Sequence, residues 1–488
     1  MKLRWVLLVI LVGIGNIASP ERLTADETKE ATDVRLLIPA GRAYEICRTL
    51  ASDRFFGRLT GHAGYTAASR WAADRFREWG VETLPGGMGG YLQPFPSPHT
   101  LIDKAEMDIL LITPPPGSET ISLRLEKDFL PMMFSDSGER SAEVVFIGWG
   151  ISAPELGYDD YAGVEVKDRY VLCFRGTPDA DDKRFQSHDE HRTRLKTAAK
   201  KGALGLIYIY PEVNANPNGD WLPGMVSAMI SEETADRLLA QKKKSAATIK
   251  NDLLAYRRPL SFLMPERIRL KVESRHFPAA EGYNIIGFIS GSDPQLKKEC
   301  VVLGAHFDHC GPHLGRIFPG ANDNASGSAV VMSIAKAFAK MKNKPKRSLL
   351  FVLFGGEEQG LTGSHFFVAH YPAVDLKFAA MFNFDMVGEG DGTVLGYGEN
   401  AAAIKEVVEK ANGAIKTLRQ SRLIRGVGVR SSDYAPFFLL KVPCLSFFSN
   451  GPHLAYHQAG DTIFRINPDM LDDLSRLAFL SACFWADR

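Results

Sequence analysis

Leu349-Leu350-Phe351-Val352-Leu353-Phe354 is six apolar residues in a row, and it runs straight into Gly355-Gly356-Glu357-Glu358. A run this short and continuous fits a strand buried on both faces of a mainly parallel sheet, and the glycines and carboxylates mark where it leaves the core. Three other runs have the same form. Cys300–Ala305 ends in His306-Phe307-Asp308, Ala379–Phe384 ends in Asp385, and Val442–Phe448 leads after a short loop to Tyr456-His457. Helical stretches lie between them; Ser328–Met341 carries Val330, Ile334 and Phe338 on one stripe. Beyond residue 283 the chain therefore reads as an α/β domain, a mixed and mainly parallel sheet sandwiched by helices.

In open α/β sheets the carboxyl ends of the strands face the ligand crevice. Four strands here deliver His306, Glu358, Asp385 and His457 to one rim, a nitrogen and oxygen donor set suited to zinc. One histidine after a strand is ordinarily a packed or surface residue; four converging donors point to a metal site. A fifth group lies between the first strand and its helix: Gly320-Ala321-Asn322-Asp323-Asn324-Ala325-Ser326-Gly327. Its bland reading is a capped turn, which Asn, Asp and Ser all suit. Its functional reading makes Asp323 a carboxylate shared by two cations. The charges then balance, two zinc ions against Asp323, Glu358, Asp385 and a hydroxide.

Composition bounds the alternatives. At ~150 residues per domain, 488 residues suggest two to four domains. Hydrophobic residues are 45% and charged residues 24%, which excludes a disordered, collagen-like or multi-span chain. A net charge of +1 provides no bulk field for nucleic acid, and Lys242–Lys244 reads as a solvated helix end. The six cysteines include no Cys-x-x-Cys, so disulfide scaffolds and cysteine-based zinc or redox motifs drop out. No Gly-x-Ser-x-Gly elbow occurs. His188-Asp189-Glu190-His191 imitates a metal cluster, but its spacing is that of no zinc motif, and it reads as a solvated loop.

Lys2 and Arg4, the apolar run Trp5–Gly15 and the small residues Ala18 and Ser19 read as a signal peptide over residues 1–19. That run is too short to span a bilayer core of ~30 Å. The expectation is export to the periplasm or the extracellular space, with no stable membrane span after processing. Residues 36–117 form the first part of the catalytic domain, helical to about residue 85 and ending in the break Pro114-Pro115-Pro116-Gly117. Residues 118–262 change character, with short β-like runs at Val144–Trp149, Tyr170–Phe174 and Leu206–Tyr210 and a helix at Arg192–Lys201. Residues 263–488 carry the rest of the catalytic domain.

His306-Phe307-Asp308, the Gly320–Gly327 loop, Gly356-Glu357-Glu358-Gln359-Gly360-Leu361-x-Gly363-Ser364, Asn383-Phe384-Asp385-Met386-Val387-Gly388 and Tyr456-His457-x-x-x-Asp461-Thr462 together resemble the co-catalytic dizinc exopeptidases of clan MH. These include bacterial leucyl aminopeptidases and relatives of glutamate carboxypeptidase. The resemblance covers residues 283–488 well and the early helices more loosely. It implies the zinc exopeptidase fold and two Zn2+ ions per chain, His306 and Asp385 on one, Glu358 and His457 on the other, with Asp323 bridging. It also implies Glu357 as general base, Asp308 holding His306 from behind, and Tyr456 as oxyanion donor or else a ring packed on His457.

Gly157-Tyr158-Asp159-Asp160-Tyr161, Asp168-Arg169-Tyr170-Val171-Leu172 and Ala198-x-x-x-Gly202-Ala203-x-Gly205-Leu206 resemble the protease-associated (PA) module. Residues 118–262 would then be a β-rich insert at the mouth of the site, carrying no chemistry. Two positions depart from the pattern. Ser432-Asp433-Tyr434 stands where many relatives have Ser-Asp-His, and Cys310 where many have Leu. Cys310 reads as a packed thiol, His309 and His313 as loop-shaping residues. Asn324-Ala325-Ser326 is formally a glycosylation sequon, but a glycan there would block the cleft.

The expected activity is that of an aminopeptidase acting on peptides with a free N-terminus. A carboxypeptidase would need a basic clamp, for which Arg425, Arg430 and Lys441 are candidates. Glutaminyl cyclase relatives usually lose the Gly320–Gly327 loop, and receptor or scaffold relatives lose ligands; this chain keeps both.

Overall fold

Side chains alternate across a strand, so a strand apolar along its whole length must feed two cores. The computed structural model describes residues 34–87, 89–113, 117–216, 220–371, 376–397, 401–415, 421–425 and 432–488. Residues 1–19, read above as a signal peptide, Pro114–Pro116, Arg430 and the side chain of Arg425 lie outside the described residues. The main sheet contains β1 (Leu92–Pro96), β2 (Glu281–Ile289), β3 (Glu299–His306), β4 (Ser348–Phe354), β5 (Lys377–Phe384), β6 (Thr393–Tyr397), β7 (Ser421–Arg425) and β8 (Cys444–Ser449). Val301, Leu303, Leu349, Phe351, Leu353 and Phe382 enter one core, against α1 (Arg42–Leu50), α2 (Ala63–Trp79), α3 (Gly327–Lys340) and α6 (Pro468–Ala486, numbered after the two helices that follow). Val302, Leu350, Val352, Phe354 and Met381 enter the other, under Phe367 of α4 (Thr362–Ala369) and Phe437 of α5 (Ala435–Leu439).

The strand order is β1-β2-β4-β3-β5-β8-β6-β7. The central four, β4, β3, β5 and β8, are mutually parallel, and antiparallel pairs join β1 to β2, β2 to β4 and β8 to β6. His306 is in register with Phe354, Gly304 with Asn383, and Phe384 with Phe447. The carboxyl ends of all four therefore lie along one edge. The mixed, mainly parallel sheet between helices is the fold class that the periodicity predicts.

A second eight-stranded sheet with its own core occupies residues 99–277. It extends beyond the 118–262 read from the sequence because Gly117–Ser122 pairs antiparallel with His99–Thr113, Thr113 opposite Gly117. Residues 99–113 and 117–122 are thus two arms of one antiparallel pair rather than parts of two domains. The return strand, Ser261–Phe277, likewise runs past residue 262. Where the chain leaves and re-enters the catalytic domain, Ser97 N–H donates to the Ala280 carbonyl at 2.9 Å, so the two crossings lie side by side. The insert also contains helices His191–Lys200, Glu232–Leu239 and Ala246–Tyr256.

His188–His191 is not the solvated loop expected. It leads into the first of those helices, with His191 buried against the Tyr208 hydroxyl and His188 2.8 Å from Glu155. None of the six cysteines forms a disulfide, and five of them are buried. Among the described residues no helix is long and apolar enough to cross a membrane.

Candidate metal centre

The edge formed by β3, β4, β5 and β8 collects the expected donors. His306 is the last residue of β3, and its Nε2 lies 3.2 Å from Asp323 Oδ1 and 3.2 Å from Asp385 Oδ1. His457, in the loop after β8, places Nε2 3.2 Å from Asp323 Oδ2 and 2.9 Å from Glu358 Oε2. Asp323 thus turns one oxygen to each histidine–carboxylate pair. It can do so because residues 321–326 form a widened turn with Asp323 at φ −108°, ψ 92°, between the end of β3 and the start of α3. All five residues except Asp385 are buried, and Asp385 is half-buried.

The donor set passes a chemical test of fit to divalent metal. A carboxylate and an imidazole Nε2 facing each other at about 3 Å, twice over, are spaced as neighbouring ligands of one ion are. Burial opposes charge on Asp323, yet the hydrogen bonds from His306 and His457 and the nearby His309 hold it well below the usual carboxylate range.

The catalytic candidates gather at the same edge. Glu357 follows β4 beside Glu358; burial, then the carboxylates of Glu358, Asp385 and Asp433, push its carboxyl well up against the pull of His306. Tyr456 stacks its ring on His457, centroids 3.9 Å apart, and remains 43% exposed. Asp308 is only partly what the sequence suggests. It stands 3.7 Å from His306 Nδ1, beyond hydrogen-bond reach, and it accepts the Glu357 N–H at 3.3 Å. It anchors the base's backbone at least as directly as it supports His306.

Residues 284–481 match peptidase family M28. An aminopeptidase of Pseudomonas aeruginosa is 26% identical over 466 residues, 87% of this chain and 76% of that protein. Leupeptin-inactivating enzyme 1 of Streptomyces exfoliatus is 28% identical over 213 residues, 40% of this chain; the match spans about half of that relative, 46%. The solved structure of BSAP, a zinc aminopeptidase from Bacillus subtilis, superposes with a TM-score of 0.58 at 20% identity, covering 91% of this chain and 94% of that one. The stretch that matches this family carries all five candidate donors, His306, Asp323, Glu358, Asp385 and His457.

Several residues around this site were not legible as such in the sequence. Arg58 is fully buried and donates to the carbonyls of Leu50, Phe307, Pro319 and Gly320 at 2.7–2.9 Å. One planar guanidinium therefore pins both the loop after His306 and the loop before Asp323. Asp461 accepts the backbone N–H groups of Asn322 and Asp323 at 2.9 and 3.0 Å, which orients the shared carboxylate. Ser432 donates to Asp385 Oδ2 at 2.7 Å, leaving Oδ1 for His306.

The insert contributes too, contrary to the expectation that it carries no chemistry. Ala215 accepts His457 Nδ1–H at 2.6 Å, and its own N–H donates to the His457 carbonyl at 2.9 Å. Those two bonds hold a non-glycine residue in the left-handed region, φ 54°. They also fix which imidazole nitrogen carries the hydrogen.

Of the remaining candidates, Tyr434 packs in the smaller core under the main sheet and Cys310 is a buried thiol. His313 links its loop to the insert, accepting from Ile102 N–H at 3.2 Å and donating to the Cys310 carbonyl at 2.9 Å. Asn324 is fully buried, its amide bonded to Phe384, Gly327 and Met386, so the folded chain presents no sequon there. Lys441 is exposed beyond α5.

Proposed function

We propose that this chain is a zinc-dependent aminopeptidase with two metal sites sharing Asp323. The observation that carries the reading is the division of Asp323 between two histidine–carboxylate pairs, Oδ1 with His306 and Asp385, Oδ2 with His457 and Glu358. Two zinc ions held there supply a water of lowered pKa and polarise the scissile carbonyl. Glu357 takes the proton from the attacking water and delivers it to the leaving amine. Its raised carboxyl pKa suits a group that must hold that proton between the two transfers. Tyr456 donates to the oxygen that becomes negative. Desolvation around its hydroxyl, the residue as a whole being 43% exposed, and the carboxylates of Asp323, Glu358, Glu357 and Asp385 raise its pKa well above the usual value, so it is a donor throughout the neutral range.

The surroundings favour a free amine over a free carboxylate. The centre is rich in carboxylates, which attract the ammonium of a peptide N-terminus. Of the clamp candidates, exposed Lys441 is the one whose side chain is described. We propose further that residues 99–277 are a PA-like insert shaping access, and that the leader directs export. Aminoacyl anilides assayed beside N-blocked and C-terminally acidic peptides test the direction of attack. Hydrolysis confined to free-amine substrates is expected; cleavage of N-blocked, C-terminally acidic peptides would reverse the assignment.

A further inference from the structure

Three histidines face the carboxylate cluster, and they differ in what their second nitrogen does. His457 gives Nδ1–H to Ala215, and His306 turns Nδ1 toward Asp308. Each then aims Nε2 at two carboxylates, as a ligating imidazole must. His309 is arranged differently. It is fully buried, its Nε2 has no hydrogen-bond partner, and its Nδ1 lies 3.0 Å from Glu358 Oε1. Asp323 Oδ2, at 3.8 Å, is too far for a bond. Glu358 therefore divides its oxygens, Oε2 to His457 at 2.9 Å and Oε1 to His309. A carboxylate bound to a cation has no proton and only accepts, so the hydrogen between His309 and Glu358 sits on Nδ1.

We infer that His309 is a positioning residue of the second metal site, whose Nδ1–H holds Glu358 Oε1 and confines that carboxylate to coordination through Oε2. This role rests on the dizinc reading above and deepens it. A carboxylate free to turn can bind a metal through both oxygens. Held on one side, Glu358 would offer an ion Oε2, the oxygen that already faces His457. The ring is wedged in place, since a Cβ on Gly320 would come within 2.4 Å of His309 Cγ. Cys310 Sγ is the rival donor; it shares a group with His309, Glu358 and His457 whose ligand atoms all lie within 4.8 Å of one another.

The test strips metal from the wild type, His309→Ala and His309→Asn, then titrates each with zinc against a competing chelator and with cobalt(II) followed by absorption. The wild type takes two ions. His309→Ala binds the first as the wild type does, which reports an intact fold, and the second roughly 10–100-fold more weakly. His309→Asn, whose amide nitrogen replaces Nδ1 as donor, recovers most of that affinity, and no protein shows a cobalt–thiolate band. Unchanged second-ion affinity in His309→Ala overturns the inference. So does an Asn variant as weak as the Ala variant, which would make His309 a ligand or a packing residue, and so does a thiolate band, which would bring Cys310 into the coordination shell. If His309→Ala loses both ions, the Asn variant decides by the same criterion. A wild-type chain that takes one ion refutes the dizinc reading itself, and this role with it.

Discussion

Glu357 and Glu358 are neighbours in sequence with opposite assignments, and the structure separates them by what surrounds each carboxyl. Glu358 faces His457 and His309, which hold it at about 2 against the effect of burial. Glu357 has carboxylates as neighbours and is pushed the other way. Glu357→Ala is expected to lower turnover by about 10²–10⁴-fold, the usual worth of a general base, while zinc content stays at the wild-type level. A variant that keeps full activity shows that the base lies elsewhere. Asp160 in the insert gives a stability prediction of unusual sign. Burial raises its carboxyl to about 7, against hydrogen bonds from Ile151 N–H, the Tyr158 hydroxyl and Trp149 N–H. Between the ordinary aspartate value of about 3.9 and 7 the folded state holds a proton that the unfolded state has released. This group's contribution to stability therefore falls as pH rises through that window. Asp160→Asn should flatten the slope of melting temperature against pH between 5 and 8; an unaltered slope excludes Asp160 as its source.

At the scale of elements, the site depends on how closely α3 approaches the end of β5. Gly327 opens the helix, and a Cβ there would stand 2.3 Å from the Phe384 carbonyl and 2.5 Å from Asn324 Oδ1. Asp323 and Asp385 flank that contact, so the spacing of two metal-facing carboxylates is set by a missing side chain. Gly327→Ala is expected to cost about 1–3 kcal/mol by overpacking and to weaken zinc binding. Denaturant unfolding and zinc titration check both; a variant with wild-type values shows that the helix start is not the spacer. The β-run/helix alternation beyond residue 283 was legible because the central strands are mostly apolar and a candidate donor ends or follows each of them. The proline break was misleading because Pro-rich segments serve hairpin turns and linkers alike, and only the pairing of Thr113 with Gly117 distinguishes them.

For the whole molecule, metal and fold should be linked, since ions that bind the native state alone add to its stability by mass action. A chelator is expected to abolish hydrolysis and lower the melting temperature, and zinc or cobalt to restore both. Activity that survives complete metal removal would end the metallopeptidase mechanism. The insert belongs to the same linkage, because Ala215 holds a residue of the metal centre across the seam between the two sheets. By itself the sequence determined the sheet and picked out five candidate donors, His306, Asp323, Glu358, Asp385 and His457, which the fold brings together. Each is a chemically distinctive side chain at the end of a strand or in the loop that opens a helix, where period and residue type can be read together. Only the tertiary structure shows that Arg58, Asp461, Ala215 and His309 surround the candidate centre. Their roles rest on backbone carbonyls, backbone N–H groups and distances between segments far apart in the chain, which no local pattern records.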